Sequence, residues 1–106
     1  KASEVHLPGM HIGGWYDIFQ QATLDDFINI QSRGKGLARG NQRLIMNPGA
    51  HGPLDGDLKY PNSAAPDPDI QNRWFAYWLK GVKNGVMDTP AVRYYLGRDR
   101  AAEPLA

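Results

Sequence analysis

A chain of 106 residues, 42% hydrophobic and 22% charged, is sized and composed for one modest globular domain. Its 12 basic and 11 acidic side chains leave a net charge of +1, too little positive excess to hold a phosphate backbone, so nucleic acid is not an expected partner. The lack of cysteine excludes disulfides and thiolate metal sites, and no apolar run approaches the roughly 18–20 residues that span a bilayer.

The first residues, Lys1-Ala2-Ser3-Glu4-Val5, lack the long apolar core of a secretory signal, which leaves the compartment open with the cytoplasm slightly favoured. Both ends read as cut rather than finished. Val5 to Ile12 is short and apolar in character and is closed by Gly13-Gly14, the pattern of a strand ending in a tight turn, although Pro8 and Gly9 oppose its first half. From Ile18 the period changes. Phe19, Ala22, Phe27 and Ile28, with Leu24 nearby, fall at helical spacings among polar Gln20, Gln21, Asp25, Asp26 and Asn29, which predicts a helix over 18–32 that stops before Gly34.

The basic patch of Arg33, Lys35, Arg39 and Arg43, interleaved with Gly34, Gly36 and Gly40, reads as a solvated loop. Arg43 to Asn47 is also a second apolar run, and its continuous centre suits a strand covered on both faces of a parallel sheet. Strand, helix and strand together predict a right-handed βαβ unit. Residues 52–67, rich in Pro, Gly, Asp and Asn, read as loop. Pro68-Asp69 then opens a second helix whose buried face is expected to hold Ile70, Trp74, Phe75, Trp78 and Leu79, with Lys80-Gly81 as its stop. After a turn at Lys83-Asn84-Gly85, Ala91 to Gly97 has the β-branched and aromatic character of another strand. Two parallel strands cannot cover both their faces with so few helices, so further strands or a partner are expected.

Two residues stand out by position. Asp17 and His51 each follow a predicted strand directly, where open parallel sheets bind ligands. A carboxylate facing a histidine there fixes the imidazole tautomer and leaves the other ring nitrogen as a base. Taken singly, Asp17 is as well explained as a helix N-cap and His51 as a loop residue. His6 and His11 read as core or surface histidines, and Trp74, Phe75 and Trp78 as a buried helix face. Trp15 and Tyr16, beside Asp17, are open between pocket wall and packing. A metal site from His11, Asp17 and His51 is disfavoured because strand alternation makes His11 an awkward contributor. No cofactor or metal is expected.

The stretch Met10-His11-Ile12-Gly13-Gly14-Trp15-Tyr16-Asp17-Ile18-Phe19 resembles the acid-bearing segment of CocE/NonD-type acyl esterases, relatives of the X-Pro dipeptidyl peptidases. Arg43-Leu44-Ile45-Met46-Asn47-Pro48-Gly49-Ala50-His51-Gly52 resembles the base-bearing segment of that family, with Asn47-Pro48-Gly49-Ala50 in place of the usual Gly-Pro-Trp-x. Residues 74–81 and 84–95 resemble the last hydrolase helix and the lead into a C-terminal jelly-roll.

The resemblance implies an α/β fold: a partial α/β-hydrolase holding the last two parallel strands and helices of the sheet, running into the first strand of a β jelly-roll. Residues 1–88 would be hydrolase and 89–106 the start of the sandwich. It implies Asp17 as triad acid, His51 as triad base, and Trp15 and Tyr16 as substrate-binding residues. The implied activity is part of a serine hydrolase cleaving ester or amide bonds, acyl or X-Pro peptidyl, with a small acyl ester or peptide as substrate. The nucleophile is missing. Ser3, Ser32 and Ser63 are the only serines, none lies in a Gly-x-Ser-x-Gly elbow, and the chain alone should be inert. The expected partner is the remainder of the hydrolase, or a second copy through self-association. The alternative is a non-catalytic truncated α/β module that pairs through its sheet edge.

Overall fold

A computed structural model describes residues 1–52 and 67–96. They form strand β1 (Gly9–Gly14), helix α1 (Gln20–Arg33), strand β2 (Gln42–Asn47), helix α2 (Ile70–Lys80) and strand β3 (Val92–Tyr94). Single 3-10 turns lie at Ala2–Glu4, Gly36–Ala38 and Val86–Asp88. The strands make one parallel sheet in the order β1-β2-β3. The register runs from Gly9 opposite Gln42 to Gly14 opposite Asn47, and from Leu44 opposite Val92 to Met46 opposite Tyr94. The chain is thus an α/β unit with a three-stranded parallel sheet and two helices.

β1 starts four residues later than expected and includes both glycines. Proline has no N–H for a ladder. The carbonyls on either side of Pro8 are taken by other groups: Val5 accepts from the Lys35 amide and Leu7 from the Gln42 side chain. Gly13 belongs inside the strand because α1 crosses it closely. A Cβ there would lie 3.0 Å from Thr23 Cγ2 and 3.3 Å from Met46 Sδ.

Parallel burial explains β2. Gln42, Arg43, Leu44 and Met46 are buried and Ile45 is half-buried, as its uninterrupted apolar centre requires. Leu44 and Met46 pack with Phe27 of α1, and Trp15, Leu24 and Ala91 close around them. On the other face, Ile70 and Trp74 of α2 pack with Val86, and Met10, Ile45, Tyr77, Trp78 and Met87 surround them. Arg43 is not part of a solvated basic loop: it is 9% exposed, inside the sheet.

Both helix faces differ from the expected ones. In α1 the inward stripe is Thr23, Leu24, Phe27, Ile30 and Gln31, whereas Phe19, Ala22 and Ile28 are exposed. Two of those inward positions are polar, and their polarity is used: Gln31 Oε1 accepts the Gln42 backbone amide at 2.8 Å. A hydrophobic pattern cannot register a stripe built partly from such residues. In α2, Ile70 and Trp74 are buried and Trp78 half-buried, but Phe75 and Leu79 are exposed at 55% and 77%. The apolar arc of this helix is wider than the three-stranded sheet can cover. Its C-terminus is as expected, with Gly81 in the left-handed region at φ 70° and its amide on the Tyr77 carbonyl.

The run expected to begin a jelly-roll forms β3, the third parallel strand of the same sheet. The expected continuation beyond it falls in 97–106, outside the described residues. The topology around β3 is irregular. When strands add in one direction through right-handed crossovers, their helices share one face. Here the order β1-β2-β3 runs one way while α1 and α2 lie on opposite faces. The two crossovers therefore have opposite hands, and β3 is not a repeat of the β1–α1–β2 unit. Among the described residues no helix is long and apolar enough to cross a membrane.

Candidate active site

The loops that leave β1 and β2 lie against each other at the carboxyl ends of the strands. Beyond the ladder, the Trp15 amide donates to the Asn47 carbonyl at 3.1 Å and the Tyr16 amide to the Gly49 carbonyl at 2.8 Å. This approach demands glycine on both sides. A Cβ on Gly14 would sit 2.7 Å from the Gly49 oxygen, and Gly49 itself has φ 100°, which L side chains rarely adopt.

Those constraints bring Asp17 and His51 together. His51 Nδ1 lies 3.1 Å from Asp17 Oδ2. A carboxylate only accepts, so Nδ1 carries the proton and the neutral ring keeps its lone pair on Nε2. The other carboxylate oxygen, Oδ1, accepts the Phe19 amide at 2.8 Å, a local bond across two residues that opens the turn into α1. Asp17 therefore serves both readings at once, with one oxygen in the turn and one on the histidine.

Burial divides the pair. The Asp17 side chain is 14% exposed and the His51 ring 66%, so the acid is sheltered and the base faces outward. The Phe19 amide, and secondarily His51, hold the Asp17 carboxyl below its ordinary value of 3.8, against a smaller opposing effect of desolvation. A carboxyl whose folded pKa is depressed contributes stability above its unfolded value and loses it as pH falls through the lowered one. The Asp17–His51 bond is accordingly expected to persist until the pH drops below 3.8, read from the Asp17 side-chain carboxyl carbon by NMR; titration above about 4 would contradict it.

Aromatic rings frame the dyad. Phe19 meets the His51 ring edge-to-face, with centroids 5.1 Å apart. Trp15 donates its indole N–H to the Tyr95 carbonyl at 2.8 Å and meets Tyr94 edge-to-face, which ties the Asp17 loop to the end of β3. Tyr16 is exposed on the rim. Sequence reasoning placed Phe19 on the helix face and missed its position at the site. The available signal was the Asp17-Ile18-Phe19 spacing, at which an aspartate caps the amide two residues on.

The other candidates lie elsewhere. Ser32 sits near the C-terminal end of α1, its hydroxyl donating to the Ile28 carbonyl. Ser3 lies in the first 3-10 turn, which packs against α1. Because α1 runs back across the sheet, Ser32 is at the edge opposite Asp17 and His51. Ser63 is outside the described residues. His11 Nε2 is 2.8 Å from Gln42 Oε1, within the sheet. Among the described residues no group of three or more His, Asp or Glu is gathered to hold a metal.

No family model matches the chain, and no curated protein is significantly similar to it. The chemistry the geometry allows is a histidine oriented by a buried carboxylate, with Nε2 able to accept a proton at the sheet's carboxyl rim. Gly14→Val is expected to separate the two loops. In ¹⁵N NMR the His51 ring of the variant should lose its Nδ1–H tautomer preference while the fold persists, and an unchanged ring spectrum would show that the loops tolerate a side chain there.

Proposed function

We propose that this chain is part of a serine hydrolase acting on a small acyl ester or a peptide, with His51 as general base and Asp17 as the acid that orients it. The Asp17 Oδ2–His51 Nδ1 bond at the carboxyl ends of adjacent parallel strands carries the proposal. In the proposed reaction, His51 Nε2 takes the proton of a serine hydroxyl as that oxygen attacks the substrate carbonyl. It then returns the proton to the leaving alcohol or amine, and Asp17 stays ionised and stabilises the imidazolium between these steps. The serine and the oxyanion donors belong to a segment before Lys1 or to another chain.

Tyr16 and Trp15 are assigned to the substrate side, Tyr16 through its exposed ring and Trp15 by holding the loop against β3. The Phe19 ring supplies an apolar wall beside His51, in place of the aromatic residue whose family position is occupied by Gly49. The change of hand before β3 supports reading residues 1–88 as hydrolase and the chain from 89 onward as the start of a β-sandwich.

The test is to express the chain with the coding sequence that precedes Lys1. A strand–Gly-x-Ser-x-Gly–helix element, serine labelling by a fluorophosphonate and turnover of a chromogenic short-acyl ester are expected. An upstream frame without such an element, and no labelling, would defeat the proposal.

A second reading is a non-catalytic module that self-associates. It is favoured by the open edges of β1 and β3 and by the exposed Val92, Tyr94 and Leu96. Light scattering on the purified 106-residue chain separates the two features. Self-association with no ester turnover is expected of this chain alone. A monomer that turns over ester, and loses that activity on His51→Ala, would overturn both expectations.

A further inference from the structure

Arginine is almost never fully buried without a partner. Arg43, 9% exposed, nevertheless has no ion pair among the described residues. Its Nη1 donates to the Gln42 carbonyl at 3.0 Å and its Nη2 to the Met87 carbonyl at 2.8 Å. Its Nε–H is buried with no acceptor. Burial lowers its pKa from the ordinary arginine value, and no carboxylate offsets that cost.

A second cation shares this place. Arg93 of β3 is in register with Ile45, two residues along β2 from Arg43, so strand alternation puts both arginines on the α2 face of the sheet. Arg93 also has no ion pair among the described residues. Both line a small, partly open cavity with Met10, Ile45, Ile70 and Pro90. Its free volume of about 10 Å³ suits one atom the size of a water oxygen.

We infer that this cavity is an anion site for a single carboxylate, one oxygen of which accepts from the Arg43 Nε–H while the Arg93 guanidinium balances its charge. The volume admits one oxygen and not a tetrahedral oxyanion. The aliphatic walls suit the carbon that a carboxylate carries and a sulfate or chloride lacks. The site lies on the α2 face toward the amino end of β2, away from Asp17 and His51, and it does not depend on the hydrolase reading. The carboxylate is either a small free acid or the Asp or Glu side chain of a second copy docking on this face.

The arginine Nε–H resonances in a ¹H–¹⁵N correlation spectrum report directly on the unpaired donor. Sodium acetate, titrated against sodium perchlorate at constant ionic strength, is expected to move the Arg43 resonance saturably in the millimolar range. The exposed Arg33 should not respond in this way. Arg93→Gln, at a half-exposed position that leaves the buried Arg43 in place, should weaken the midpoint about tenfold, equivalent to about 1.4 kcal/mol.

A resonance that is shifted without acetate and relaxes on dilution would assign the same site to a carboxylate of a second copy. Equal responses to acetate, sulfate and chloride would overturn the carboxylate assignment. An Arg43 resonance that tracks Arg33 in acetate and does not change on dilution would overturn the site.

Discussion

Replacing Trp74 with alanine is expected to cost about 3–5 kcal/mol, the range for removing a fully buried large aromatic side chain. That is enough to unfold a domain of ordinary marginal stability. Trp74 is 5% exposed and packs with Ile70 and Val86, with Met10 and Ile45 of the sheet and Trp78 of its own helix closing around it. No other described helix covers that face, so the hole could not be filled from elsewhere. Phe75→Ala and Leu79→Ala, one residue round the same helix, should stay within about 0.5 kcal/mol because both side chains already face solvent. Urea denaturation of the three variants reads the contrast. A Trp74 loss under about 1 kcal/mol, or a Leu79 loss as large as that expected of Trp74, would mean that α2 presents a different face to the sheet.

The largest effect on activity is expected at His51, in the longer polypeptide or complex that carries the serine. His51→Ala should lower kcat by about 10⁴ or more, because the serine hydroxyl then has no base to take its proton. Asp17→Asn should approach the same loss by a different route. An asparagine amide can face Nδ1 with a donor, which favours the wrong tautomer and leaves no lone pair on Nε2. The two effects should not add, since both residues serve one proton transfer. Stopped assays with a chromogenic ester and ring ¹⁵N shifts on the same samples distinguish this from misfolding. An Asp17→Asn enzyme with wild-type kcat would remove Asp17 from the chemistry even if the 3.1 Å contact is retained.

The place of the dyad was legible before any coordinates because it depends on local punctuation. Each residue follows an apolar run closed by glycine, and parallel strands joined by a helix bring such endings to one rim. The site's closeness was not legible. It depends on the Gly14 approach to the Gly49 carbonyl and on the turn that gives Phe19 an amide bond to Asp17 and a ring contact to His51. Residues 17 and 51 are distant in sequence, and no periodicity relates Phe19 to either.

The sequence by itself determined the element types, the C-terminal stop at Gly81, the covered character of β2, and the pairing of an acid with a base at strand ends. These follow from local backbone preferences and from how many neighbours a strand must have to bury an unbroken apolar run. Only the tertiary structure decided which helix faces turn inward, because α1 buries polar Thr23 and Gln31 while α2 leaves Phe75 and Leu79 in solvent. Only it decided that Arg43, written among surface-like basic residues, lies inside the sheet, since a backbone carbonyl 44 residues away accepts its Nη2. Strand order and crossover hand belong to the same class. Whether β3 joins β2, and on which face α2 then lies, is settled by the balance of burial across the whole sheet, to which no short stretch of sequence has access.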